Sequence, residues 1–158
     1  MSLAEQVLDA ARARNILIAT AESCTGGLIA ATLTRIPGSS DVVDRGFVTY
    51  SNRAKEQMLG VHADTLDAAG AVSEAVAEQM AAGALSRSDA TLSVSVTGIA
   101  GPGGSERKPE GRVCFGIAGP DGVRTETVDF GAIGRQAVRE ASVEHALTLL
   151  LRALSDRV

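Results

Sequence analysis

Apolar positions along the chain follow two periods. Leu3, Val7, Leu8 and Ala11 recur at helical spacing and predict an amphipathic helix over residues 2–14. Residues 16–21 form a short apolar run rich in β-formers, the pattern of a buried strand. The turn Ser23-Cys24-Thr25-Gly26-Gly27 follows, and an Ala/Leu/Ile run to Thr34 then reads as a helix. The Pro37-Gly38 pair marks a loop. Residues 42–50 read as a second strand. Asn52 is placed to cap a short helix carrying Lys55, Met58 and Leu59, and Gly60 ends it. Ser73 is placed to cap an Ala-rich helix reaching Leu85. Residues 90–97 alternate small polar with apolar side chains, the period of a strand. A long glycine-rich loop occupies 98–111. Residues 113–118 and 123–130 read as a hairpin around Pro120-Asp121-Gly122. A last helix over 135–154 sets Val138, Ala141, Ala146, Leu149 and Leu150 on its apolar side. Strands interleaved with helices predict an α/β fold, a single three-layer α/β/α domain over residues 1–158. The hairpin makes its sheet mixed, though mostly parallel.

Composition narrows the function classes. The chain has 158 residues, 45% hydrophobic and 22% charged, which excludes disorder, collagen and a disulfide scaffold. A domain of this length buries roughly 68–70% of its unfolded surface, enough for a real core. Aromatics are 3% with no Trp, so that core is mostly Ala, Val, Leu and Ile. A net charge of −4 gives no hold on a phosphate backbone, and stacking platforms are scarce, so nucleic acid is not an expected partner. Cys24 and Cys114 make no disulfide framework and suit a reducing compartment. The start of the chain lacks the pattern of a signal peptide, and no apolar run approaches about 18 residues. A cytoplasmic protein without a membrane partner is expected. Apolar surface on the Ala-rich helices could support a homo-oligomer.

Three polar segments stand at the ends of predicted strands, where ligand sites of open α/β sheets gather. The first is the 21–27 turn. Unpaired N–H groups at a helix start can hold a phosphate or a developing oxyanion. Ser23, Cys24 or Thr25 could be a nucleophile there, or Ser23 or Thr25 merely a helix cap. The second is 47–55. Lys55 lies near the positive end of a helix, and that placement, with partial burial, would lower its pKa. It reads either as a general base or as a surface charge, and Tyr50 alone would suit a core. The third is the 97–111 loop. Gly98, Gly103 and Ser105 fit the spacing of a P-loop, but Gly104 stands where its lysine belongs. What is left is a loop rich in N–H donors, with Arg107 and Lys108 to attract an anion.

The histidines are His62 and His145, without metal-ligand spacing, and no G-x-S-x-G elbow occurs, so no metal or cofactor is expected. For a hydroxyl nucleophile, lysine is the best remaining base.

The ordered motifs Ala21-Glu22-Ser23-Cys24-Thr25-Gly26-Gly27, Gly38-Ser39-Ser40, Arg45-Gly46-Phe47-Val48-Thr49-Tyr50-Ser51-Asn52 with Lys55, Gly70-Ala71-Val72-Ser73-Glu74, and Thr97-Gly98-Ile99-Ala100-Gly101-Pro102 closely resemble the CinA C-terminal domain family. The likeness spans nearly the whole chain, in what looks like the stand-alone form. It implies hydrolysis of nicotinamide mononucleotide to nicotinate mononucleotide and ammonia, a step of pyridine-nucleotide salvage. Residue by residue it implies Ser23 as nucleophile, Lys55 as base and the Tyr50 hydroxyl as an orienting group. Amides around Thr25, Gly26 and Gly27 would hold the oxyanion. Cys24, Thr97, Gly98 and Gly101 would face the substrate, whose phosphate would lie against amides of the 98–105 loop, aided by Lys108. Glu110, Arg112 and the 131–135 stretch depart from the family pattern, and the glycine loop is one residue shorter. Two rival readings stand beside this one: Cys24 as the nucleophile, and a non-catalytic module that binds a nucleotide or a protein.

Overall fold

Helix α1 (Leu3–Ala13) opens on a reciprocal cap between Ser2 and Glu5 and buries Ala4, Val7, Leu8 and Ala11, the predicted stripe. The structure, a computed structural model, describes residues 1–155; residues 156–158 of the expected domain lie outside the described residues. The chain continues through β1 (Ile18–Glu22), α2 (Leu28–Thr34), β2 (Val43–Val48), α3 (Asn52–Leu59), α4 (Ala63–Ala69) and α5 (Glu74–Ser86). Then come β3 (Leu92–Gly98), β4 (Arg112–Gly119), β5 (Gly122–Asp129) and α6 (Arg135–Ser155). The sheet order is β2-β1-β3-β4-β5. β1 pairs parallel with β2 and β3, while β4 runs antiparallel to β3 and β5. All strands except β4 therefore point the same way. α1, α2 and α6 cover one face and α3, α4 and α5 the other, so the three-layer mixed α/β/α arrangement is as predicted. Among the described residues no helix is long and apolar enough to cross a membrane.

The departures from the predicted elements are local and have physical causes. β1 runs on to Glu22, because that carboxylate is buried rather than solvated. Ser51, not Asn52, caps α3, its Oγ accepting the Ala54 N–H at 3.0 Å. α4 had no periodic signal, since it buries Leu66 alone. The serines of β3 are buried, not solvent-facing. Ser93 and Ser95 donate to the Ala81 and Ala77 carbonyls at 2.7 and 2.6 Å, tying the strand to α5.

Two features position the site. From β1 the chain turns to β2 on one side and returns through α3–α5 to β3 on the other. The crevice at the carboxyl ends of β1 and β3 is thus a topological switch point, where such sheets bind ligands. α3 also lies hard against α5: a Cβ on Gly83 would sit 1.9 Å from the Leu59 carbonyl oxygen. Only glycine admits that approach, and it sets where Lys55 stands.

Candidate active site

Ser23 is the first residue beyond β1, and its N–H donates to the Val96 carbonyl at 3.0 Å, so the sheet holds its backbone. Lys55, on the inner side of α3, is only 1% exposed. Its Nζ lies 2.9 Å from Ser23 Oγ, 3.0 Å from the Thr49 carbonyl and 3.2 Å from the Tyr50 carbonyl. Three acceptors satisfy the three N–H bonds of an ammonium. A neutral amine has two N–H bonds and a lone pair. With the two carbonyls holding its N–H bonds, the lone pair is left for the serine hydroxyl. Burial pushes the Lys55 pKa down from 10.5 to about 8, with Cys24 and Glu106 opposing that shift. A buried amine that loses its proton at about pH 8, in contact with a hydroxyl, has the arrangement of a base and its nucleophile.

Ser23 and Lys55 open onto a cavity of about 420 Å³, within the size range of small-molecule sites. Its far wall is the loop from Thr97 to Glu106, and Arg135 stands at its mouth. The Arg135 guanidinium donates to the Gly101 carbonyl at 2.7 Å and to the Tyr50 hydroxyl at 2.8 Å. Residues 1–154 of the chain match the family described as the CinA C-terminal domain.

The chain belongs to the CinA C-terminal domain family. It is 50% identical over 151 residues to the nicotinamide-nucleotide amidohydrolase PncC of Escherichia coli strain K12, covering 95% of this chain and 92% of that protein. A CinA-like protein of Chlorobium phaeobacteroides is also 50% identical, over 98% of this chain, but the chain spans only 38% of that protein's length. Among solved structures, the competence/damage inducible protein CihA of Agrobacterium tumefaciens superposes with a TM-score of 0.93 at 51% identity, covering 98% of this chain and 94% of that one. The competence damage-inducible protein A of Klebsiella pneumoniae gives a TM-score of 0.95 at 36% identity, covering 99% and 97%.

This CinA domain places the sequence-predicted residues unevenly. Ser23, Cys24, Tyr50, Lys55, Thr97, Gly98 and Gly101 all line the cavity. The Tyr50 hydroxyl, expected to orient the pair, instead accepts from Arg135; it is the Tyr50 backbone carbonyl that meets Lys55. Burial pushes the Cys24 thiol up to about 11, which leaves little thiolate near neutral pH. Thr25, Gly26 and Gly27 lie outside the lining. Thr25 is fully buried, its hydroxyl donating to Glu22 Oε1 at 2.5 Å, and the Gly26 N–H donates to the Ser23 carbonyl at 3.0 Å. The helix start is already filled: Glu22 accepts the Ile29 and Ala30 N–H groups at 2.9 and 3.0 Å. No substrate anion can take that place. Lys108 also turns away, donating to the Ala69 carbonyl at the negative end of α4 and to the Val72 carbonyl in the segment before α5.

Four residues of the CinA domain's site have no part in the chemistry expected from the sequence. Glu22 plugs α2. Glu106 accepts the Ala71 and Val72 N–H groups at 3.0 and 3.3 Å and ties the glycine loop to the segment before α5. Asn52 and Arg135 line the cavity. Arg135 does carry a signal, because a cation in the first turn of a helix opposes the dipole and needs an anion or carbonyls as partners.

Proposed function

We propose that this CinA domain hydrolyses the carboxamide of nicotinamide mononucleotide, releasing nicotinate mononucleotide and ammonia. The observation that carries the reading is the 2.9 Å contact between a buried amine and a hydroxyl at the floor of the cavity. The name of the Escherichia coli relative, of which the chain spans 92%, supports the substrate.

Neutral Lys55 takes the proton of Ser23 Oγ as that oxygen attacks the carboxamide carbon. The carbonyl oxygen becomes an oxyanion beside the Cys24 N–H, which donates to no backbone carbonyl among the described residues. An N–H on the residue after the nucleophile is a common oxyanion donor. Collapse breaks the C–N bond, and Lys55 returns its proton to the leaving ammonia. Lys55 then deprotonates a water that attacks the ester. Collapse breaks the ester C–O bond, Lys55 returns that proton to Ser23 Oγ, and the freed acid loses its own proton to solvent and leaves as the carboxylate. The cycle as proposed calls on no cofactor.

The phosphate falls to Arg135, since Lys108 is held by α4. Ammonia release from nicotinamide mononucleotide by the purified protein tests the reading; tight binding without ammonia would favour a non-catalytic module. Arg135→Ala is expected to raise KM about 10–100-fold with a much smaller change in kcat, the loss of one charge-assisted anchor. The same variant should lose little on nicotinamide riboside, which has no phosphate. An equal loss on both substrates would remove Arg135 from the phosphate role.

A further inference from the structure

The turn that carries the nucleophile is gripped from outside the cavity by Arg139 of α6. Its Nε donates to the Cys24 carbonyl and its Nη2 to the Thr25 carbonyl, both at 3.2 Å. Arg139 is half-buried, lies one turn beyond Arg135 on the same side of α6, and does not line the cavity. A trans peptide is rigid and planar, with its C=O and N–H pointing in opposite directions. The Thr25–Gly26 peptide therefore receives Arg139 on its oxygen and delivers its N–H to the Ser23 carbonyl at 3.0 Å. The Ser23–Cys24 peptide receives that N–H and presents its own, the Cys24 N–H, which no backbone carbonyl accepts, at the other end. Leu28 also donates to the Thr25 carbonyl at 3.0 Å, but from a neutral amide.

From this chain of contacts we infer that Arg139 is a positioning residue for the amidase reaction, acting through two successive peptides to aim and polarise the Cys24 N–H at the developing oxyanion. The inference rests on the reading of Ser23 as nucleophile. Hydrogen bonds in series polarise one another, and a guanidinium at the far end makes the last N–H a better donor to an anion. The gain is confined to the state in which negative charge has formed, so it belongs to kcat rather than to substrate binding.

The test uses the full chain with nicotinamide mononucleotide. Arg139→Ala is expected to lower kcat about 10²-fold, the scale of one impaired oxyanion donor, with KM changed little. The midpoint of the pH–rate profile should stay where Lys55 sets it, and added guanidinium should restore part of the lost rate. Arg139→Gln keeps an amide donor without the charge, and reads the same effect should the alanine variant fail to fold; a loss of about tenfold in kcat is expected there. A lowered Tm with wild-type kcat, or a rise in KM in place of the fall in kcat, would make Arg139 a structural staple and overturn the inference. Wild-type protein that releases no ammonia would instead overturn the amidase reading itself, so the two failures are distinguishable.

Discussion

Ser23→Ala is expected to lower kcat for ammonia release by about 10⁴–10⁶-fold, the loss seen when a hydrolase nucleophile is removed. Cys24→Ala is expected to stay within a few fold of wild type. The two residues are neighbours in sequence and both line the cavity, so the pair of variants separates them directly. The physical basis is the state of each group near neutral pH. Ser23 touches an amine brought down to about 8, whereas burial holds the Cys24 thiol up near about 11. A serine needs a base beside it, and a cysteine needs a thiolate. This site supplies the first condition and works against the second. Near-wild-type turnover by Ser23→Ala beside an inactive Cys24→Ala would reverse the assignment.

Lys55→Met is expected to cost about 10²–10⁴-fold in kcat, the range for a general base. In wild type, kcat should rise as pH rises through about 8 and then level, because only the neutral amine can accept the serine proton. A flat profile from pH 6 to 9 would contradict the role. The same shift makes a signed prediction for stability. Lys55 binds a proton with a pKa of about 8 when folded, against 10.5 for the free side chain. The unfolded state therefore carries the extra proton between those values, and stability rises with pH across that window. Below it, holding the charged amine in the interior costs about 3 kcal/mol, and above it that cost is gone. The wild-type stability minus that of Lys55→Met, from urea unfolding at a series of pH values, should rise by about that amount between pH 7 and 10.5. A difference that falls or stays level would refute the burial of a titrating amine. The hydrogen bonds lost in the variant set a constant offset and do not change the slope.

The period of apolar positions was enough to place most helices and strands, because each buries a stripe or a face. α1 is the clearest case, and α4, with Leu66 as its one buried side chain, is the case with nothing to read. The meeting of Ser23 and Lys55 was legible for a different reason: their motifs were long and specific, although the two lie 32 positions apart. What could not be read was which polar groups the protein keeps for itself. The α2 start looked like an open anion site. Its first turn holds no acidic residue, and Glu22, reaching back from the end of β1, supplies the missing negative charge. Lys108 looked like an aid to a phosphate because it is basic and lies in a glycine loop, but the Ala69 and Val72 carbonyls claim it first. In the proposed function that place goes to Arg135, which lines the cavity from more than twenty residues further along. That exchange depends on where the loop closes, and no local spacing encodes it.

The most direct test of the account is to mix the protein with nicotinamide mononucleotide, quench in acid within the first turnover, and locate the acyl adduct by peptide mass mapping. The account predicts an ester on Ser23, absent from Ser23→Ala and present in Cys24→Ala. A thioester on Cys24 would contradict it.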